Sequence, residues 1–468
     1  VARLRATYRH PGAREYRQRG GAWDVPTLDT LLAANDSQPS AGAIARVAGG
    51  LRAQGVRRGD IVSWQLPNSD DAVLLYRACW RLGAVAGPIH HQAGAPEVTR
   101  MLGVLEPTVV VEPGGPLPSG PPVVQSAARP SDLAVALFTG GSSGTPKAVM
   151  HTHRGLAHKT TTMVAVHGLR SRDAVLMPAP LAHVSGLLNG LLVPGAAGMR
   201  AVLMARWDPD RALELIETQR ISFMVGPPTF FIQLMGTSGF TLERVGSLRL
   251  VSSGGAGVTP SFVTEATERL GARVKRSYGS TEAPTVTSST SRDPVRRARE
   301  TDGRPVGQCQ LSVAPDGELL LRGPELFAGY ADPADTRAAI VRGWFATGDL
   351  ATVDDHGWLT IVGRKKDLII RGGENIATAE VEDALVAHPE IREAAAVGYP
   401  DDVLGERVCA FVISDGPFDL EQCRAWFAAR GIARFKTPER VLRVDAFPVL
   451  AAGKIDRAAL RQIAAQRC

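Results

Sequence analysis

Residues 133–147 read LAVALFTGGSSGTPK, an apolar run from Leu133 to Phe138 followed by Thr139-Gly140-Gly141-Ser142-Ser143-Gly144-Thr145-Pro146-Lys147. The apolar residues have the length and composition of a buried strand. Behind them, a glycine-rich turn lets backbone N–H groups converge on anionic oxygens, and hydroxyls plus one ammonium add charge-assisted donors. The string predicts a phosphate cradle, set between that strand and the helical pattern HTHRGLAHKTTTMVAV at 151–166. It is not the usual P-loop, because no Gly-Lys-Ser/Thr closes it.

Upstream, helical spacing at Ile44, Val47, Ala48 and Leu51 ends at Gly55, and IVSWQL follows as a strand. A second helix carries Ala72, Leu75, Tyr76, Cys79 and Leu82, then AVAGPI reads as a strand, a third helix carries Val98, Met101, Leu102 and Leu105, and TVVVE is again a strand. This alternation predicts an α/β sheet with parallel crossovers. Pro113 to Pro122 reads as a surface linker, and Ala174 to Met199, uncharged but broken by Pro178, Pro180, His183, Asn189 and Pro194, as buried strand and loop. AVLMA, ISFMVG and LRLVSSG supply further strands, and from about Gly303 short strands with turns predict a small β-barrel-like subdomain. The expected architecture is α/β: a large N-terminal domain of stacked subdomains over residues 1–364, then a small α+β domain over 365–468.

Four further motifs follow in order: Tyr278-Gly279-Ser280-Thr281-Glu282, Thr347-Gly348-Asp349-Leu350, GRKKDLIIRGGENI from Gly363 to Ile376, and Gly453-Lys454-Ile455-Asp456-Arg457. With the TGGSSGTPK loop this ordered set resembles the adenylate-forming superfamily, in its acyl-CoA synthetase branch. The resemblance implies an ATP- and Mg²⁺-dependent acid:CoA ligase. A carboxylate and MgATP give acyl-adenylate and pyrophosphate, the C-terminal domain rotates, and the CoA thiol releases AMP. It assigns Thr139 to Thr145 and Lys147 to the phosphates, and Gly254, Gly255, Ala256 and Tyr278 to adenine, the tyrosine offering a flat face. Gly279 and Ser280 complete that nucleotide loop, Thr281 meets the α-phosphate, and Glu282 supplies a hard oxygen for Mg²⁺. Asp349, acceptor-only when ionised, takes the ribose diol with Arg364 as a second contact. Lys454 offsets the repulsion between carboxylate and α-phosphate, Lys366 matches the hinge, and Gly372 and Gly373 line the pantetheine tunnel. Arg434 and Lys436 face the CoA phosphates.

Pro180-Leu181-Ala182-His183 resembles the family's Pro-x-x-His segment, with His183 at the carboxylate end of an acyl pocket to which Phe230, Phe231, Leu234, Gly254, Gly255 and Pro284 are also candidates. This set carries no cation or anion to pair an amino acid, and predicts a cyclic, aromatic or medium-chain acid. His90 and His91 depart from the family's usual Asn-Pro; with His151, His153 and His158 they lack metal-ligand spacing, and capping or polar surface roles suffice. The chain also departs at Asn35 to Ser40, a short bridge where relatives carry a strand and hairpin.

Composition narrows the alternatives. Net charge is +6 over 468 residues, without a long basic block, so nucleic acid is not implied. Arg292 to Arg304 mixes both signs and reads as a solvated loop. Five cysteines without a CxxC pair argue for a reducing, cytoplasmic compartment, and the basic N-terminus lacks the apolar core of a signal peptide. No membrane span is expected, and a homodimer is compatible. Only seven of the 53 basic residues are lysines, and Lys147, Lys366 and Lys454 fall inside the motifs, with Lys436 in RFKTPER, where a compact point charge rather than a planar fork suits the expected roles. Competing readings are an enzyme loading a separate carrier protein, a long-chain fatty acid:CoA ligase, and a catalytically silent nucleotide binder.

Overall fold

The computed structural model describes residues 4–8, 24–33, 39–139, 146–372, 374–449 and 455–466. The chain divides into two compact units, one of residues 1–311 with 321–346 and one of 312–320 with 347–468. Most of the small β-sheet read above as part of the N-terminal domain falls within the second of these units. Most of the short bridge, Asn35 to Gln38, falls outside the described residues.

The first sheet of the large unit joins β1 (Ile61–Trp64), β2 (Val85–Pro88), β3 (Val109–Val111), β4 (Leu133–Thr139) and β5 (Lys147–Thr152) in the order β3-β1-β2-β4-β5. β1 to β4 pair in parallel, as the helix-strand alternation requires, and β5 closes the edge antiparallel to β4. Local chemistry sets the helices between them. Ser40 caps Ala41–Ala53 by accepting from the Ala43 N–H, and Ser69 caps Asp70–Leu82, which ends at left-handed Gly83. The second helix buries its apolar face in an aromatic ladder: Trp64 lies edge-on to Tyr76 at 5.0 Å, and Tyr76 lies 5.4 Å from Trp80, whose Nε1 donates to the Ala134 carbonyl.

β6 (Ala174–Met177), β7 (Arg200–Leu203), β8 (Phe223–Gly226), β9 (Leu250–Ser253), β10 (Arg273–Tyr278), β11 (Thr287–Ser288) and β12 (Arg304–Pro305) form the second sheet, ordered β12-β11-β10-β9-β8-β6-β7. The first five pair in parallel, and the last two add antiparallel at one edge. In the small unit, β13 (Gln310–Val313), β14 (Glu318–Arg322), the main part of β16 (Trp344–Val353) and β17 (Leu359–Arg364) make one sheet; the short β15 (Ile340–Val341) pairs with the start of β16. A second sheet of that unit has the order β19-β18-β21-β20, from β18 (Leu368–Arg371), β19 (Glu374–Ala377), β20 (Ile391–Asp401) and β21 (Gly405–Ser414), with β22 (Arg440–Arg443) alongside β21.

Three segments differ from their sequence reading. Residues 147–152 are strand, and the helix begins only at His153 with Thr152 as its cap, because Ala148, Val149 and Met150 extend the buried sheet before helical spacing starts. The stretch after Pro180 is helical rather than loop, running through Val184–Gly186, the π-turns Leu187–Leu192 and Val193–Ala197; buried Asn189 satisfies itself by donating to the Ser185 carbonyl. Arg292 to Arg304 is a folded edge, with a helix at Val295–Glu300 and Asp302 buried against Arg276 at 2.9 Å. Pro113 to Pro122 lies at the surface as expected, but is docked against a helix. Its Gly120 N–H donates to the Arg46 carbonyl, and it lies so close to the helix Ala41–Ala53 that a Cβ on Gly49 would stand 2.1 Å from the Pro121 carbonyl oxygen.

Gly49→Ala should therefore lose about 1–3 kcal/mol of stability. Gly42→Ala, in the same helix but with only Arg46 3.7 Å away, should gain up to about 1 kcal/mol. Urea unfolding of the two variants measures this contrast, and equal effects would remove the close packing as its cause.

Candidate active site

Thr139 and Lys147 face one another as register partners at the ends of β4 and β5. The loop Gly140 to Thr145 between them lies outside the described residues, as do Gly373, Gly453 and Lys454. Lys147 Nζ pairs with Asp335 Oδ1 at 2.7 Å and lies 5.3 Å from the Tyr330 ring centre.

The Tyr278–Glu282 loop leaves the end of β10 and turns sharply back. Gly279 has no room for a side chain, since a Cβ would stand 2.3 Å from the Thr285 nitrogen, and Thr285 itself takes φ 34°. Ser280 N–H donates to the Ala283 carbonyl, and the Ala283 N–H returns a bond to Ser280 Oγ. Four further contacts pin this turn. His151 Nε2 lies 2.7 Å from the Thr281 carbonyl oxygen, Phe327 N–H donates to the Glu282 carbonyl, Tyr330 OH donates to Glu282 Oε1 at 2.7 Å, and Lys159 Nζ donates to the Thr285 carbonyl at 2.9 Å. Lys159 is fully buried and pairs with an equally buried Glu325 at 3.3 Å. Burial, and then the Glu282 carboxylate, raise the Tyr330 hydroxyl well above its ordinary value, so it stays a donor. The glycines of SSGGAG lie beside this turn: a Cβ on Gly254 would stand 2.4 Å from the Ser277 carbonyl oxygen, while Gly255, at φ 80°, and Ala256 are exposed.

The structure brings Thr139, Lys147, Thr281 and Glu282 onto one set of connected contacts, in which Tyr330, Asp335, His151, Lys159 and Glu325 are members that the sequence motifs do not reveal. His151, His153 and His158 are buried, not surface, residues. His153 Nδ1 accepts the Leu28 N–H, and burial lowers its pKa to about 4 despite nearby Asp132 and Asp29.

The Pro180–His183 segment is held from the first sheet. Asn68 donates to the Met177, Ala179 and Met204 carbonyls and accepts from the Leu181 N–H, and Tyr76 OH donates to the Leu181 carbonyl at 2.6 Å. His183 heads the following helix, its ring 5.1 Å from His90, which in turn stacks on His91 at 4.8 Å. Burial, then His91, push the His90 imidazole down to about 4, leaving it neutral at pH 7. Of the pocket candidates, Phe230 is half-buried and stacks on Trp207 at 4.5 Å. Phe231 and Leu234, fully buried, turn into the core of the second sheet with Phe262 and do not line an open pocket; on a helix they fall on the face opposite to the solvent side. Pro284 is buried in the turn after Glu282.

In the small unit, Asp349 and Arg364 are register partners on β16 and β17 and form an ion pair of 2.8 Å, with Asp349 buried. Gly348, at φ 72°, donates its N–H to Glu318. In the turn Lys365–Asp367, Lys365 bridges Asp316 and Glu318 while Lys366 is exposed. Gly372 takes φ 56° and donates to the Leu404 carbonyl. Arg434 is exposed, and Lys436 pairs with Glu380 at 2.5 Å.

Residues 42–119 and 112–331 match the AMP-binding enzyme family, and residues 380–454 match the AMP-binding enzyme C-terminal domain. The chain is 32% identical over 472 residues to the medium-chain fatty-acid–CoA ligase of Escherichia coli K12, covering 89% of this chain and 83% of that one. It is 29% identical to the indoleacetate–CoA ligase of Aromatoleum aromaticum, over 91% and 92% of the two chains. The ATP-bound crystal structure of MatB from Rhodopseudomonas palustris superposes with a TM-score of 0.83 at 28% identity, covering 90% and 92%. The chain belongs to the AMP-binding enzyme family and is an AMP-forming acyl-CoA synthetase, using ATP and CoA. Among the described residues no helix is long and apolar enough to cross a membrane.

Lys159→Met leaves Glu325 charged and buried without its partner and should cost about 3–5 kcal/mol. The double variant Lys159→Met/Glu325→Leu should regain most of that stability in urea unfolding, yet keep a raised KM for ATP, because the Thr285 carbonyl still lacks its donor. Full recovery of the KM in the double variant would show that the pair stabilises the fold without positioning the loop.

Proposed function

We propose that this synthetase activates a cyclic, aromatic or medium-chain carboxylic acid and passes it to free CoA. The observation that carries the reading is the pinned Tyr278–Glu282 turn, whose Thr281 and Glu282 are tied to the strand pair bearing Thr139 and Lys147.

In the first half-reaction a carboxylate oxygen attacks the α-phosphorus of ATP, the bond to the β-phosphate oxygen breaks, and pyrophosphate leaves. Thr139 through Thr145 and Lys147 hold the phosphates. To do so Lys147 exchanges its Asp335 partner for a phosphate oxygen, a trade between two anions that costs little. Tyr278 with Gly254, Gly255, Ala256, Gly279 and Ser280 receives the adenine, and Thr281 donates to the α-phosphate. Glu282 fits a Mg²⁺ ion: it is a hard carboxylate oriented by the Tyr330 hydroxyl at one oxygen. The metal neutralises phosphate charge when bound. Asp349 accepts the ribose hydroxyls, with its charge held by Arg364. Lys454 contacts both the attacking carboxylate and the α-phosphate, where developing charge is greatest.

In the second half-reaction the small domain, residues 365–468, turns about Lys366. The CoA thiolate then attacks the acyl carbon, the bond to the AMP oxygen breaks, and AMP leaves. Gly372 and Gly373 leave space for the pantetheine arm, and Arg434 and Lys436 meet the CoA phosphates, Lys436 releasing Glu380. For the acid, the neutral His90 ring beside His183 and the Phe230–Trp207 stack supply a partly aromatic surface.

Pyrophosphate release from MgATP across a panel of acids, with and without CoA, tests the reading; acyl-CoA and AMP should appear only when both acid and CoA are present. Release that stops at the adenylate would replace free CoA by a carrier protein, and turnover restricted to long-chain acids would overturn the substrate class.

Lys454→Ala should slow adenylation by about 10²–10³-fold while thioester formation from supplied acyl-adenylate persists. Lys366→Pro should do the reverse, since it stiffens the hinge. Single-turnover assays of each half separate the two, and equal losses in both halves would contradict both roles.

A further inference from the structure

At the opposite edge of the second sheet from the nucleotide loops, where β9 and β10 begin, lies a cavity of about 170 Å³ lined by His167, Arg249, Leu250, Arg273, Lys275 and Ser291. Its donors outnumber its acceptors. Lys275 is 1% exposed, and its Nζ donates to the Ser289 carbonyl, using one of the three ammonium protons. Arg273 spends its terminal nitrogens on the Thr290, Ser291 and Asp293 carbonyls, which leaves its buried Nε without a partner. His167, 5% exposed, has a buried Nδ1 that also lacks a partner.

The two nearby carboxylates are committed elsewhere. Asp173 is gripped through both oxygens by Arg249 at 2.8 and 2.9 Å; burial works against its charge, but the Arg249 and Ser222 bonds hold it down at about 2. Asp293 bonds Arg304 and Thr290. Lys275 and Arg273 are thus cations facing one cavity with only neutral carbonyls as direct partners. A buried ammonium in that position is costly unless an anion joins it.

We propose that this cavity is an anion site that takes a free phosphate-sized oxyanion, held by Lys275 Nζ, Arg273 Nε and His167, at the starts of β9 and β10, opposite to the ends that carry Gly254 and Tyr278. The volume, several times the ~30 Å³ share of one water, admits such an ion with part of its hydration. The titration of the lining groups has the matching sign. Burial, then Arg273, lower Lys275 to about 7 against a partial offset from Asp293, and burial, then Lys275 and Arg249, press His167 well below its usual value. An oxyanion favours the protonated form of both, so binding takes up protons and weakens as pH rises through about 7.

Sulfate is the probe, since its charge is constant over this range. The unfolding temperature of the full chain is titrated with sulfate at fixed ionic strength, with saturating MgATP to fill the nucleotide site. A saturable rise, larger at pH 6 than at pH 8, is expected. Ser291→Glu changes an exposed residue at the cavity and supplies an internal carboxylate there. It should weaken sulfate by at least about tenfold and raise the unfolding temperature in sulfate-free buffer. Lys275→Met should likewise lose the response. No saturable rise in the wild type, or an equal rise in Ser291→Glu, would overturn the site, the latter placing sulfate elsewhere.

Discussion

The Lys159–Glu325 pair is the constraint on which the nucleotide face depends. Both side chains are fully buried, and Lys159 also donates to the carbonyl of Thr285, a residue held at φ 34°. A β-branched residue in that conformation is disfavoured, so a turn carrying it persists only when its surroundings over-determine it. The ammonium, the His151 ring, the Phe327 N–H and the Tyr330 hydroxyl supply that over-determination from three separate stretches of chain. Thr281 and Glu282 therefore present their side chains from a turn whose backbone is fixed before any ligand arrives, the pre-organisation that electrostatic catalysis requires.

A single polar side chain gives the acid side of the site a comparable fixity. Asn68 satisfies its amide with three carbonyls and one N–H around the ends of β6 and β7, and Tyr76 adds a bond to Leu181. Buried amide groups are costly when unpaired, so this full complement locks the Pro180–His183 segment to the helix that begins after Ser69. The start of the following helix is equally confined, since a Cβ on Gly186 would meet the Pro180 carbonyl oxygen at 2.0 Å. The backbone on both sides thus fixes where His183 heads its helix.

The helices, the parallel strands and the five motifs were legible because each rests on short-range rules: apolar period, Ser caps, left-handed glycines and glycine turns. The helices Ala41–Ala53 and Asp70–Leu82 begin and end within a residue or two of where their spacing and caps put them. What escaped depends on partners far away in sequence. The helix read from His151 begins two residues later, at His153, because antiparallel pairing with β4 holds His151 and Thr152 in the strand. Phe231 looks like a pocket residue beside Phe230, and the helical period sends it to the other face. Asp335 lies 188 residues beyond Lys147, and Tyr330 lies 48 beyond Glu282, in a stretch without a motif, so only the fold brings them together.

Lysine usage joins these strands of reasoning. In a chain whose cations are mostly arginine, the buried positions 159 and 275 are lysine. At Lys159 the ammonium must reach a carboxylate on one side and a single carbonyl on another, a geometry that a compact, rotatable group meets and a planar guanidinium fork does not. At Lys275 the same compactness leaves protons directed at a cavity. These two buried lysines mark places where a charge is desolvated and aimed, whereas Lys365 and Lys366 are exposed, and catalysis is only one of the reasons for such a place. Lys147, in a motif, and Lys159 and Lys275, outside the motifs, each direct an ammonium at a fixed partner, so counting lysines does not separate a residue proposed to touch substrate from one that holds the fold around it.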